Sequence, residues 1–255
     1  MTAGRPPAGY VRVTAARCVV IARDALADDA RALLAEGSLY EAAARDLGAR
    51  ALQGRGIVYS IVLPVSGSRV VVRRNRHGGL FGPLTRDLFL PPTRAPYELA
   101  TSLRLQAAGV RTPAVVMYGV ERVHALLRHA DVATRELAGG RDLSTFLLPG
   151  ESSESRAEAW VAARDLVRAL NAAGARHHDL NVKNILLTPS ASGLEAWVLD
   201  VDRVAFADAN ASSVRFGNVA RLLRSARKWR DERGAVFDER EVAALGVPHE
   251  NRPTR

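Results

Sequence analysis

The stretch that decides the fold is His177-His178-Asp179-Leu180-Asn181-Val182-Lys183-Asn184-Ile185-Leu186-Leu187, followed by Val198-Leu199-Asp200-Val201-Asp202. Two short apolar runs, Ile185-Leu186-Leu187 and Ala196 to Leu199, flank a turn from Thr188 to Gly193. Apolar runs of this length bounded by turn residues read as strands. Taken singly, Asp and Asn in a loop cap helices or close turns. His177-His178 alone reads as a surface pair or a fragment of a zinc site, and no Cys or His stands at ligand spacing to complete one. The whole string is far more specific than its parts.

Phosphoryl transfer needs a carboxylate that orients the acceptor hydroxyl and takes its proton. It also needs oxygen ligands that hold magnesium on the phosphates. An Asp, an Asn five positions later and an Asp closing a short apolar strand supply those groups. The spacing His-x-Asp-x-x-x-x-Asn is that of kinase catalytic loops. Asp179 is then the base, Asn184 and Asp200 are the metal ligands, and His177 pins the loop. Lys183 is placed to neutralise the transferring phosphate, or is an ordinary solvated lysine. Asp202 is a second ligand or a partner of Arg203.

Around this stretch the chain reads as helical from about residue 138. A short helix covers Asp142 to Leu148. A longer one runs from about Glu154 to Ala173, capped by Ser152 or Ser155 and stopped by Gly174. A basic helix covers Asn218 to Arg233, with Leu222 and Leu223 facing inward. Arg221, Arg224, Arg227 and Lys228 lie near one of its faces, as a solvated stripe or a contact for anionic lipid.

The first half is richer in strand signals. Tyr10 to Ile21 alternates and then turns apolar, which predicts a strand. Asp24 to Leu47 carries Ala and Leu at helical spacing, divided at Gly37-Ser38. Ile57 to Leu63 and Val70 to Val72 form a hairpin about Pro64 to Ser68. A helix is expected over Thr93 to Ala108, stopped by Gly109, and strands over Val115 to Val120 and Leu126 to Val132. Gly54-Arg55-Gly56 is a short relative of a phosphate-covering loop, since glycine lets backbone N–H groups approach phosphate. Sheet first and helices second predict an α+β fold of two lobes. The divisions are 1–50, a strand and helix extension; 51–137, a β-rich N-lobe; and 138–255, an α-helical C-lobe with the catalytic loop.

The chain has 255 residues, 47% hydrophobic and 25% charged, which excludes a wholly disordered or collagen-like protein. No run of about 18 apolar residues spans a membrane, and Met1 to Tyr10 lacks the apolar core of a signal peptide. The lone Cys18 excludes an intramolecular disulfide framework and fits a reducing cytoplasm. The net charge is +9, and Lys183 and Lys228 are the only lysines, so 34 of 36 basic residues are arginine. Arginine grips phosphate and carboxylate bidentately. A basic chain favours nucleic acid, anionic membrane or phosphorylated substrates. Nucleic acid is not expected: aromatic residues are only 5%, poor for base stacking, and no recognition motif is present.

The catalytic string resembles that of bacterial lipopolysaccharide core kinases, nearest to the 3-deoxy-D-manno-octulosonic acid (Kdo) kinases, with the core heptose kinases close by. The resemblance extends to Arg73–Leu80 (RRNRHGGL), to Thr93-Arg94 with Glu98 and Leu103, to Gly109–Pro113, and to Asn218–Lys228 (NVARLLRSARK). It covers roughly residues 50–230. It implies a protein-kinase-like fold with ATP and Mg2+ between the lobes. The implied reaction is phosphorylation of a sugar hydroxyl, the 4-hydroxyl of Kdo, on lipid A-linked inner core. The implied place is the cytoplasmic face of the inner membrane of a Gram-negative bacterium, as a peripheral protein on its anionic surface. The alternatives are a heptose or other small-molecule kinase, or a pseudokinase, which Asp179, Asn184 and Asp200 argue against.

Protein kinases hold the nucleotide phosphates with a strand lysine, and this chain has none before Lys183. Arg73, after Val70-Val71-Val72, stands in that place and agrees with the family pattern; Arg74 competes with it. Glu98 is its expected partner, and Gly54 and Gly56 the expected phosphate-loop glycines. Asp200-Val201-Asp202 lacks the glycine of Asp-Phe-Gly, which argues against a regulated activation loop.

Overall fold

The computed structural model describes residues 5–53, 56–76 and 87–245. The chain divides into two compact units, Met1–Ser102 with Pro113–Glu136, and Leu103–Thr112 with Leu137–Arg255.

In the first unit, β1 (Tyr10–Ala15) and β2 (Cys18–Arg23) form an antiparallel hairpin. The alternation from Tyr10 to Ile21 predicts a single strand; the chain instead reverses at Ala16-Arg17, where Ala16 takes a φ of 46°. Neither residue is a turn former, so the residue types do not announce the reversal. α1 (Ala27–Ala35) and α2 (Leu39–Arg45) separate at Gly37-Ser38 as expected. Gly37 has a φ of 128°, a region open to glycine. Ser38 caps α2: its Oγ accepts the Glu41 N–H (3.3 Å) while the Glu41 carboxylate accepts the Ser38 N–H (3.1 Å).

β3 (Arg50–Gln53), β4 (Ile57–Val62), β5 (Arg69–Arg74), α3 (Ala95–Ala107), β6 (Val115–Arg122) and β7 (Arg128–Arg135) follow. The seven strands make one antiparallel sheet in the order β1-β2-β6-β7-β5-β4-β3. Leu33, Leu34, Leu39 and Ala43 of the two helices share a core with Val20, Val72, Met117 and Ala133 of the sheet. Burying each leucine contributes about 1.5–3 kcal/mol, so the run from β1 to α2 is built into this unit's core.

The second unit holds β8 (Arg141–Asp142), α4 (Leu143–Phe146), α5 (Ser153–Ala172), β9 (Ala175–His177), β10 (Ile185–Ser190), β11 (Gly193–Val198), β12 (Val204–Phe206), α6 (Ser212–Arg233) and α7 (Glu239–Ala244). β10 pairs with β11 and β8, and β12 with β9. Ser152, not Ser155, caps α5, its Oγ accepting the Ser155 N–H at 3.0 Å. Gly174, at φ 64°, ends it. Ala163, Leu166, Val167 and Leu170 of α5 pack in one core with Leu187, Ala196, Val198 and Leu222. Leu180 and Val182, within the polar stretch, are wholly buried in the same core. The loop is therefore pinned by its own apolar residues. α6 starts six residues before the expected Asn218. Ser, Val, Phe and Gly are weak helix formers, and burial of Val214 overrides them. Strand-rich first unit and helix-rich second unit make the fold α+β, as predicted. Among the described residues no helix is long and apolar enough to cross a membrane.

Candidate active site

His177 ends β9 and is fully buried. Its Nε2 lies 2.9 Å from the Leu199 carbonyl oxygen, and its Nδ1 accepts the Asp179 N–H at 3.1 Å. Donating through Nε2 and accepting through Nδ1 is the work of a neutral imidazole. Burial pushes its pKa below the ordinary histidine value, against the opposing pull of the Leu199 carbonyl and of Asp200, Asp179 and Asp202.

Two asparagines fold the loop upon itself. Asn181 Oδ1 accepts the backbone N–H groups of Lys183 (2.9 Å) and Asn184 (3.2 Å). The amide nitrogens of Asn181 and Asn184 both donate to the Asp179 carbonyl oxygen, at 3.0 and 2.9 Å. With its nitrogen so committed, Asn184 keeps its Oδ1 as the acceptor without a partner among the described residues. The Leu199 N–H donates to the Asn184 carbonyl oxygen at 2.9 Å. Leu199, immediately before Asp200, thus ties Asn184, just before β10, to His177. Asp200 itself lies in the left-handed region, φ 54° and ψ 48°. Aspartate is among the few side chains that enter it readily, and such backbone positions cluster at functional sites.

α6 lies along this loop. The Asn218 Oδ1 accepts the His177 N–H at 2.9 Å, and its Nδ2 donates to Asn171 Oδ1 and to the Ala175 carbonyl, both at 3.0 Å. Arg221 Nη2 donates to Asp179 Oδ1 at 2.8 Å. Ser225 Oγ accepts the Val182 N–H at 3.2 Å. The Lys183 ammonium sits 5.6 Å from the centre of the Trp229 ring. Residues 218, 221, 225 and 229 are three or four apart, one face of a helix. The sequence shows that spacing but not what the face meets: Arg221, which reads in the sequence as part of a basic surface stripe, meets Asp179. The stripe itself is partly spoken for: Arg227 pairs with Glu239 at 2.6 Å and Lys228 with Glu232 at 3.7 Å. Asp202 stands 3.9 Å from Arg203.

In the first unit Arg73 and Arg74 are adjacent on β5, so their side chains leave opposite faces of the sheet. Arg73 donates to Glu98 Oε1 at 2.6 Å and to Asn75 Oδ1 at 2.9 Å. Glu98, on α3, is almost fully buried. Arg74 is engaged elsewhere, with Asp131 Oδ1 (2.8 Å), Ser38 Oγ (2.8 Å) and the Tyr40 ring. Arg73 is therefore the arginine that meets Glu98. Gly56 lies against Arg76: a Cβ there would stand 2.9 Å from the guanidinium carbon. Gly54 lies outside the described residues. Cys18 is buried, and burial with Asp131 and Glu121 nearby pushes its thiol up to about 12, which leaves it no nucleophile.

The structure thus joins His177, Asp179, Asn184 and the run into Asp200 in one hydrogen-bonded unit, joins Arg73 to Glu98, and turns Lys183 towards Trp229. Among the described residues no group of three His, Cys, Asp or Glu could hold a metal by itself. One amide oxygen and one carboxylate suit magnesium, a hard cation that keeps waters and takes its remaining ligands from substrate phosphates.

The solved structure of WaaP in complex with acyl carrier protein matches this fold with a TM-score of 0.56, covering 89% of this chain and 88% of that one at 20% identity. The fold is kinase-like. The pattern of the lipopolysaccharide kinase (Kdo/WaaP) family matches residues 44–245; the chain belongs to that family, which makes the protein a phosphotransferase acting on a sugar hydroxyl. The 3-deoxy-D-manno-octulosonic acid kinase of Actinobacillus succinogenes is 31% identical over 204 residues, 78% of this chain and 83% of its own length. Those of Pasteurella multocida and Haemophilus influenzae are 28% and 29% identical, over 82% and 76% of this chain and 86% and 80% of theirs.

Proposed function

We propose that this lipopolysaccharide core kinase transfers the γ-phosphoryl group of ATP to Kdo in the lipid A-linked inner core, at the 4-hydroxyl. The observation that carries the reading is the hydrogen-bonded unit of His177, Asp179, Asn184 and Leu199. The choice of acceptor is supported by relatives named for that sugar acid.

In this reading Asp179 accepts a hydrogen bond from the acceptor hydroxyl and takes its proton as the oxygen attacks the γ-phosphorus. The bond from that phosphorus to the bridging oxygen breaks, and ADP leaves. Arg221 holds one Asp179 oxygen at 2.8 Å and so fixes the carboxylate. Asn184 Oδ1 and the Asp200 carboxylate would hold Mg2+, which would neutralise charge on the phosphates. Arg73, positioned by Glu98, grips the nucleotide phosphates, with Gly56 near the phosphate-covering turn. His177 stays neutral and fixes the loop. Lys183, over Trp229, has its ammonium on the same stretch and contributes positive charge there. A lipid-linked acceptor calls for peripheral contact with an anionic membrane surface on its cytoplasmic side. Exposed Arg224 and the neighbouring basic residues of α6 suit such a contact.

The test offers purified protein γ-labelled ATP and magnesium with Kdo-lipid A and heptosylated core in parallel, with Asp179→Ala as control. Label on Kdo-lipid A, absent in the control, is expected. Label on heptose alone replaces the acceptor and keeps the mechanism. Near-wild-type labelling by Asp179→Ala overturns the assignment of the base.

A further inference from the structure

Three of the four ties between α6 and the loop have a plain structural purpose. Asn218 satisfies buried backbone groups, Ser225 accepts a loop N–H, and Trp229 takes the Lys183 ammonium. Arg221 is different. It spends one N–H on Asp179, keeps 38% of its side chain exposed, and has no second partner among the described residues. A guanidinium carries five N–H donors in a planar fork that matches a carboxylate.

We propose that Arg221 selects the acceptor by binding its carboxylate while the acceptor hydroxyl meets Asp179; this rests on the Kdo reading above. The relatives' substrate is an octulosonic acid, a sugar acid whose C1 carboxylate is attached to C2. The 4-hydroxyl is two ring carbons further on. Both groups sit on one small ring, so with that hydroxyl on an Asp179 oxygen the carboxylate is within reach of the guanidinium bonded to Asp179. A second negative charge close to Asp179 is repulsive unless a cation stands between the two. Arg221 supplies it, always charged and with donors to spare. Arg224, one turn further along α6 and exposed, adds charge of the same sign. A neutral sugar gains nothing from this arrangement, so Arg221 favours an acid acceptor over a neutral one.

An arginine that only orients Asp179 would affect every acceptor equally. The full chain and its Arg221→Gln, Arg221→Lys and Arg168→Ala variants are therefore assayed on Kdo-lipid A and on its C1 carboxamide. The readout is the ratio of the two kcat/KM values, with thermal melts as a check on folding. The wild type and Arg168→Ala, which removes a distant charge, are expected to prefer the acid by about 10- to 100-fold, the worth of a charged hydrogen-bonded contact. In Arg221→Gln the ratio falls to about one, whatever happens to its absolute rate. Arg221→Lys is expected to fall between them and carries the test if the glutamine variant does not fold. A wild type that does not discriminate, or an Arg221→Gln variant with the full preference, overturns the proposal and leaves the Kdo reading standing. A wild type that phosphorylates neither acceptor but labels heptosylated core overturns both.

Discussion

His177 and Leu199, 22 residues apart, meet at 2.9 Å between imidazole Nε2 and carbonyl oxygen. That bond joins the loop carrying Asp179 to the strand end carrying Asp200. His177 is wholly buried, and an unmatched ring nitrogen there would cost about 1–3 kcal/mol.

Stability should fall with acid because of this residue. The folded state keeps His177 neutral and lowers its pKa below 6.5. Its contribution is complete above the unfolded value, near 6.5, and is lost as pH falls from there through the lowered folded value, where the unfolded chain binds the extra proton. Urea unfolding between pH 7.5 and 5 should show declining stability. In His177→Gln that component is absent and the pH 7.5 value is about 2–4 kcal/mol lower. An unchanged pH slope in the variant would count against a neutral His177.

Asn218→Ala strips partners from the His177 N–H, the Asn171 side-chain oxygen and the Ala175 carbonyl together. The loss should be about 3 kcal/mol or more, because all three are buried. Asn218→Asp keeps the bond to His177 N–H and loses the two donations. Denaturant midpoints should rank wild type first and both variants well below it.

Arg73→Ala removes the ion pair between Arg73 and the buried Glu98, and breaking such a pair costs about 3–5 kcal/mol at full burial, less here because Arg73 is partly exposed. Arg73→Lys keeps the charge and loses the second contact to Asn75. The Michaelis constant for ATP should rise about tenfold or more in Arg73→Lys with the fold intact. An unaltered constant there would move phosphate binding to another residue.

Asp200→Asn preserves a side chain that enters the left-handed region and removes the anionic oxygen. The melting temperature should hold within a few degrees while the magnesium needed for half-maximal turnover rises by an order of magnitude or turnover disappears. Chelation with EDTA should stop wild-type turnover and leave its melting temperature unchanged, since protein hydrogen bonds tie the loop together. A large EDTA-induced drop in melting temperature contradicts this.

Much of the second unit is legible in the residue order. Local spacing sets α5, β10 and β11, and it narrows the cap to Ser152 or Ser155, because those signals act within a few residues; the Ser155 N–H bond to Ser152 Oγ decides between the two. The division at Gly37-Ser38 is equally local, a positive φ beside a capping box. The reversal at Ala16-Arg17 was not legible, because alanine carries no turn signal and pairing of β1 with β2 imposes it. Neither was β3, whose four residues gain their place by pairing with β4. The start of α6 followed burial of Val214 rather than propensity.

The α+β class, the spacing of Asp179, Asn184 and Asp200, and the family resemblance are all written in the residue order, because they depend on residue type and short-range period. Only the tertiary structure decided that Arg73 rather than Arg74 meets Glu98, that Lys183 faces Trp229, and that Arg221 reaches Asp179. Those pairings lie 25, 46 and 42 residues apart in the chain. A long cationic side chain takes whichever carboxylate or ring packing brings within its reach, and no local pattern encodes which that is.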